Sequence, residues 1–88
     1  MAKKLHVGNL GFDTTEDDLQ ELFARVGEVL DVQIVSDRDT GRSLGFGFVE
    51  MNDRAAEKAL AQLNGTRLNG RNLNVTEAHR RANRRMPG

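Results

Sequence analysis

Hydrophobic and polar residues alternate along four short stretches of the chain, which is typical of β-strands with one buried face. The stretches cover residues 4–8, 31–35, 42–51 and 72–76. In each stretch one set of alternate positions is aliphatic or small, and the other set is mostly polar. The aliphatic or small positions are Leu5, Val7, Val32, Ile34, Gly45, Gly47, Val49, Met51, Leu73 and Val75. Strands of this kind predict a sheet that is covered on one side only.

Two segments between these strands repeat hydrophobic residues at helical spacing. The first segment begins at an N-cap, either Thr14 or Thr15, and the second begins at Asn52 or Asp53. The buried stripes are Leu19, Leu22, Phe23 and Val26 in the first helix, and Ala56, Ala59, Leu60 and Leu63 in the second. The alanines allow the second helix to lie close to the sheet.

The connecting segments complete the predicted topology. We expect Phe12 to fold back against the hydrophobic edge, and Gly27 to end the first helix in a left-handed cap. Asn64–Gly65 ends the second helix, residues 67–70 form a short hairpin, and residues 71–76 form the last strand.

The predicted order is strand, helix, strand, strand, helix, strand. Two interleaved β-α-β units of this order give an α+β fold of the ferredoxin-like type, βαββαβ. Its four-stranded antiparallel sheet carries both helices on one face, and the first and third strands lie side by side in the centre.

Phe46 and Phe48 fall on the polar side of the predicted third strand, and the topology places His6 beside them. Large apolar rings on a solvated sheet face form an exposed patch that favours a binding partner. Rings two residues apart on a strand can stack successive bases of a single nucleic-acid strand. Ordinary burial of both rings under a C-terminal helix or a partner subunit is the alternative.

Two sequence motifs resemble those of the RNA recognition motif (RRM) family. Gly45-Phe46-Gly47-Phe48-Val49-Glu50-Met51 resembles the longer RRM signature, and Leu5-His6-Val7-Gly8-Asn9-Leu10 resembles the shorter one. The similarity runs from about Lys4 to Ala78 and is strongest to short bacterial members of the family. It implies a non-catalytic module that binds a few nucleotides of single-stranded RNA on its sheet face.

The chain departs from the family pattern at two positions. His6 stands where the family usually has Tyr or Phe, and an imidazole offers a smaller stacking surface. Leu44 stands where the family usually has a Lys or Arg that pairs with a phosphate, and Arg42, two residues earlier, is the candidate to replace it. We therefore expect weaker RNA binding with a modest dependence on salt.

The candidate RNA-binding residues lie on the predicted open face or at its exit. They are Lys4, His6, Asn9, Gln33, Arg42, Phe46, Phe48, Asn74, Thr76, Glu77, His79, Arg80 and Arg81. Around Glu77 to His79 the backbone is the candidate contact. Asp31 would repel phosphate and favour a hydrogen-bond donor on a base. Residues 1–79 are interpreted as one RRM domain, and residues 80–88 as a basic, flexible tail.

Length and composition fit one small cytoplasmic domain. The chain has 88 residues, no cysteine and a formal net charge of zero. Acidic residues concentrate in residues 13–39, whereas basic residues concentrate in residues 54–85. The absence of cysteine excludes disulfides and thiolate metal sites, and no hydrophobic run reaches membrane length. We expect no metal and no cofactor.

Two other classes of function remain in view. The same sheet face or the helical face could bind a protein, either a peptide or a second copy of the chain. An acyl-phosphate hydrolase of the same topology would need an arginine in the loop after the first strand, and residues 8–15 contain none. We therefore expect no enzyme activity. The expected partner is single-stranded RNA, with only weak binding of single-stranded DNA. We expect a monomer rather than a homodimer.

Overall fold

The structure is a computed structural model that describes residues 2–78. Its helices and strands follow the predicted order. The hairpin predicted at residues 67–70 is present and extends to Asn72. The elements are β1 (Ala2–Gly8), α1 (Glu16–Ala24), β2 (Val29–Ser36), β3 (Ser43–Asn52), α2 (Asp53–Leu63), β4 (Arg67–Leu68), β5 (Arg71–Asn72) and β6 (Asn74–Glu77).

The main sheet has the strand order β2-β3-β1-β6, and all its neighbours are antiparallel. β1 and β3 are therefore central, which confirms the ferredoxin-like prediction. Both helices contribute to one core on one face of the sheet. Its fully buried side chains of largest volume are Phe23, Leu5, Leu19, Met51, Val7 and Val49.

Side-chain caps decide where both helices begin. The Thr15 hydroxyl accepts a hydrogen bond from the Asp18 amide, and the Asp18 carboxylate accepts one from the Thr15 amide, which together form a capping box. The hydrogen bond from the Thr15 amide has the largest effect on the pKa of Asp18 and lowers it below its ordinary value. A hydrogen bond from the Asn69 side chain lowers this pKa further. The Asn52 side chain caps α2 by accepting from the Ala55 amide.

The prediction that Gly27 ends α1 in a left-handed cap was wrong. α1 ends at Ala24, its C-cap Arg25 is right-handed, and Gly27 has no positive φ. A Cβ at Gly27 would lie 2.6 Å from the Cβ of Ala55. The glycine is therefore required by the close approach of this turn to α2 rather than by the helix end.

The segment predicted as a continuous last strand divides at Leu73. β5 pairs with β4 through a turn in which Asn69 and Gly70 have φ of 51° and 83°, and positive φ at both central residues is typical of a hairpin turn. The Leu73 amide donates to the Thr66 carbonyl, and the chain joins the main sheet only at Asn74. Asn72, which the alternation of the predicted strand over residues 72–76 places on the polar face, lies in this hairpin instead.

The expectation that Phe12 packs against the hydrophobic edge was also wrong, because its side chain is 75% exposed. Its neighbours Leu10 and Gly11 are buried and occupy the position beside the core. In the part of the chain that the structure describes, no helix has the length and apolar character needed to cross a membrane.

Candidate nucleic-acid interface

Three rings cluster on the sheet face opposite the helices. The centroids of His6 and Phe46 are 5.3 Å apart with 24° between the ring planes. Phe48 meets both rings edge-on, at 5.6 Å from His6 and 6.1 Å from Phe46. All three side chains are partly exposed and none belongs to the core. The rings hold one another in place and still present apolar surface to solvent, as predicted from the sequence.

The register of the central strands produces this cluster. His6 lies opposite Phe48, and Gly8 lies opposite Phe46. Between the two phenylalanines, Gly47 points to the helical side, where a Cβ would collide with the Gln33 carbonyl oxygen of β2. Gly47 therefore allows β2 and β3 to pack closely on the helical side of the sheet. Phe46 and Phe48, on either side of it in sequence, place their rings on the open side.

Polar side chains extend the cluster across the outer strands. Gln33 of β2 lies opposite Phe48, and Thr76 of β6 lies opposite His6. Asn74 of β6 lies opposite Gly8 and thus continues the row of Phe46. All three polar side chains are exposed. Amides and hydroxyls in these positions can form hydrogen bonds with base edges or with a ribose 2′-hydroxyl.

One end of the face carries charge of both signs. Glu50 lies between Asp31 on β2 and Lys4 on β1 in the register of the sheet. The Lys4 Nζ lies 5.6 Å from the centroid of Phe48, within the range of a cation–π interaction. Lys4 can therefore approach a phosphate near this ring, whereas the two carboxylates repel one.

Two of the predicted site residues have structural partners elsewhere. The Asn9 side chain donates to the Asn72 carbonyl at 2.8 Å and accepts from the Arg71 guanidinium at 3.2 Å, which ties the end of β1 to the hairpin. The Glu77 carboxylate lies 3.9 Å from the Nζ of Lys3. In β6 Glu77 shares the helical side with Val75, so only its backbone lies at the exit of the face.

Arg42 lies away from the rings, in the connection between β2 and β3. Its carbonyl accepts from the Asp37 amide at 2.7 Å, and its amide donates to the Thr40 hydroxyl at 3.2 Å. The side chain is exposed. His79, Arg80 and Arg81 fall outside the described residues.

A cleft of about 410 Å³ lies next to this connection and is lined by Phe12, Gly41, Arg42 and Ser43. Sequence reasoning missed Phe12 as a surface residue. The only signal was its position in the polar turn between Gly11 and Asp13, where nothing in the pattern requires a large apolar side chain. Across residues 2–78, the structure brings no three His, Asp or Glu side chains together as a metal site.

A profile of the RNA recognition motif family matches residues 5–74. The chain belongs to the RNA recognition motif family. The match spans both motifs, all the strands of the main sheet in whole or in part, and all three rings.

Relatives and solved structures agree with this assignment. Glycine-rich RNA-binding protein 2, mitochondrial, of Arabidopsis thaliana is 44% identical, over 92% of this chain and 52% of that protein. The Nostoc sp. protein RbpE is 49% identical, over 88% of this chain and 79% of that protein. The crystal structure of RNA-binding protein PG1 is similar with a TM-score of 0.85 and 41% identity, covering 91% of this chain and 98% of that one.

One similar structure contains RNA. The RRM of Rna15, solved with bound RNA (GU), superposes with a TM-score of 0.77 at 31% identity, covering 88% of this chain and 83% of that one. The chain spans 52%, 29% and 47% of the length of three curated relatives from Arabidopsis thaliana and Mycosarcoma maydis. The family resemblance therefore concerns the RRM and leaves out the additional segments of those proteins.

Proposed function

We propose that this chain binds a few nucleotides of single-stranded RNA on the open face of its sheet, without catalysis. The observation that carries the proposal is the cluster of His6, Phe46 and Phe48, three partly exposed rings on the face opposite the core. Stacking on such rings is tolerant of sequence because every base has a π-face.

The side chains around the rings have complementary roles. Phe46 and Phe48 stack bases, and His6 extends the stacking surface. Gln33, Asn74 and Thr76 form hydrogen bonds with base edges or the 2′-hydroxyl. Lys4, beside Phe48, contacts phosphate. Lys4 brings one positive charge to the rings, whereas the carboxylates of Asp31 and Glu50 repel phosphate. This balance favours moderate RNA affinity with a shallow dependence on salt concentration.

The decisive experiment is a titration of randomised short single-stranded RNA with the wild type and a Phe46→Ala/Phe48→Ala double variant. Each ring contributes about 1–3 kcal/mol to binding if a base stacks on it, so the double variant should lose most of its affinity. Leu30→Ala is the matched control, because Leu30 is an equally apolar, 50% exposed side chain on β2 outside the ring cluster. Equal affinity of the double variant and the wild type would refute the proposal.

We further propose that the chain acts as a monomer and prefers RNA to DNA. The preference rests on Asn74 and Thr76, whose exposed polar groups can contact a 2′-hydroxyl that DNA lacks. The same titration with DNA of matched sequence should give weaker binding, and sedimentation should give a single protomer mass. We retain the cytoplasm as the proposed location, although relatives include proteins named as mitochondrial and chloroplastic.

Protein binding is the second candidate, because Leu44 of β3, two residues before Phe46, is 50% exposed. A homodimer or peptide complex through this face would bury Leu44 together with the rings. Sedimentation that shows a concentration-dependent dimer, abolished by Leu44→Ser, would favour this alternative over RNA binding.

A further inference from the structure

We propose that Asn69–Gly70 is a site of spontaneous deamidation, and that the carboxylate formed there releases the β4–β5 hairpin from the start of α1. The tripeptide Leu-Asn-Gly occurs twice in the chain, at residues 63–65 and 68–70. In both copies the residue after the asparagine has no Cβ, so its backbone can approach the asparagine side chain closely. This modification of the folded chain does not require RNA.

Deamidation converts an asparagine side chain into a carboxylate with water as the only co-reactant. The amide nitrogen of the following glycine loses its proton to hydroxide or water and attacks Cγ of the asparagine. The new N–Cγ bond closes a succinimide ring, and the Cγ–Nδ2 bond breaks as Nδ2 takes up a proton and leaves as ammonia. Water then opens the ring at either carbonyl, which gives aspartate or isoaspartate. The rate therefore depends on how freely the glycine amide can reach Cγ.

The two glycine amides differ in the folded chain. The Gly65 amide donates a hydrogen bond to the Leu73 carbonyl at 2.8 Å. The Gly70 amide lies in the hairpin turn and has no acceptor among residues 2–78. Both asparagines are exposed, so water reaches both. The Gly65 amide must break its hydrogen bond before it can attack, whereas the Gly70 amide is free, and Asn69 should therefore react first.

The side-chain contacts of Asn69 determine what its deamidation does to the fold. Its Nδ2 donates to the Thr14 hydroxyl at 3.1 Å and to the Asp18 carboxylate at 3.3 Å. An aspartate in this position has no such donor and brings a second carboxylate to Asp18. The lost hydrogen bonds and the repulsion between like charges both weaken the contact between the hairpin and the start of α1. Isoaspartate also adds one backbone atom to the two-residue turn.

Asn64 provides a matched control within the same molecule. Its Oδ1 accepts a hydrogen bond from the Val75 amide at 3.0 Å. A carboxylate can accept the same bond, so Asn64→Asp adds a negative charge and keeps the contact. Asn69→Asp adds the same charge but removes the bonds to Thr14 and Asp18.

The experiment follows both sites in the full chain by mass spectrometry of tryptic peptides during incubation at mildly alkaline pH. Trypsin cuts after Lys58, Arg67 and Arg71, so the peptides of residues 59–67 and 68–71 report the two asparagines separately. In the folded chain the peptide 68–71 should convert several times faster than the peptide 59–67. In urea, where the chain is unfolded, the two rates should become similar, because the two tripeptides are identical.

Equal rates at the two sites in the folded chain, faster conversion of Asn64, or no conversion of Asn69 while the unfolded chain converts would overturn the proposed site. Urea denaturation tests the consequence for the fold. The unfolding midpoint of Asn69→Asp should lie below those of the wild type and of Asn64→Asp. Wild-type chain that has deamidated at Asn69, separated by ion exchange, should show the same lowered midpoint. Midpoints equal to or above that of Asn64→Asp would overturn the release of the hairpin.

Discussion

The imidazole of His6 lies beside Phe46 at 5.3 Å between centroids, with 24° between the two ring planes. The two rings therefore lie nearly parallel to each other across β1 and β3. His6→Ala should lower RNA affinity about fivefold or more, because it removes one stacking ring. His6→Phe should raise affinity above that of the wild type, since its ring is larger. Anisotropy titrations with one short RNA measure both, and weaker binding by His6→Phe would contradict a stacking role.

Replacing a phenylalanine with alanine should destabilise the protein much more on the helical face of the sheet than on the open face. Phe23 is fully buried, and Phe23→Ala should destabilise the fold by about 3–5 kcal/mol. Phe48 is partly exposed, and Phe48→Ala should cost no more than about 1–2 kcal/mol. Urea denaturation measures both values. A loss at Phe48 as large as that at Phe23 would mean that the ring belongs to the core and not to a binding surface.

Gly47 is a position where the packing of β2 against β3 permits no side chain. A Cβ there would collide with the Gln33 carbonyl oxygen and would lie 3.1 Å from the Ile34 Cα. Gly47→Ala should therefore destabilise the protein by about 1–3 kcal/mol. Gly8→Ala is the control, because its added Cβ would meet chiefly the His6 side chain at 3.3 Å, which can move. Similar unfolding midpoints for the two variants would argue against a backbone clash at Gly47.

The opposed carboxylates on the open face should limit RNA affinity. Asp31 lies opposite Glu50, and both repel phosphates. Asp31→Asn should raise affinity by about twofold to fivefold at low salt, and the gain should shrink as salt screens the charge. Glu21→Gln on α1 makes the same change of charge outside the open face and should have little effect. If Asp31→Asn binds more weakly, Asp31 contacts a base donor instead.

Stability should depend on acidic pH through Asp18. Hydrogen bonds from the Thr15 amide and the Asn69 side chain lower the pKa of Asp18 in the folded state below 3.8. The folded state therefore gains stability from the ionised carboxylate above the unfolded-state pKa, and loses it as pH falls through the lowered value. The difference in urea midpoint between wild type and Asp18→Asn should stay constant near neutral pH and shrink below about pH 4. A difference that persists unchanged in acid would exclude this origin.

The strand pattern predicted most of the fold because each strand has one clearly aliphatic face. Leu5, Val7, Val49 and Val75 are buried as the alternation required. The pattern failed where geometry depends on spatial neighbours. Gly27 accommodates the close approach of Ala55 on α2. Leu73 bonds with Gly65 and Thr66, and the chain joins the main sheet only at the next residue, Asn74. Neither relationship leaves a local trace in the sequence.

Part of the candidate site was equally predictable. The positions of His6, Phe46 and Phe48 follow from strand parity and topology, and so do those of Gln33, Asn74 and Thr76. Asn9 was a predicted RNA-binding residue, but its side chain bonds to the hairpin. For Glu77 the prediction concerned the backbone, and its carboxylate lies near Lys3. Phe12 was expected to fold back against the hydrophobic edge, but it is exposed, and Leu10, two residues earlier, is buried in the core.

The β4–β5 hairpin holds both ends of the loop that carries Phe12. Arg71 and Asn72 bind Asn9 where the loop begins, and Asn69 donates to the Thr14 hydroxyl at 3.1 Å and to Asp18 at 3.3 Å where it ends. Three hairpin residues outside the ring cluster thus act as a brace for the loop that presents the Phe12 side chain. Loosening that brace, for example by removing the Asn69 amide, would leave the sheet intact and change how firmly the exposed Phe12 ring is presented.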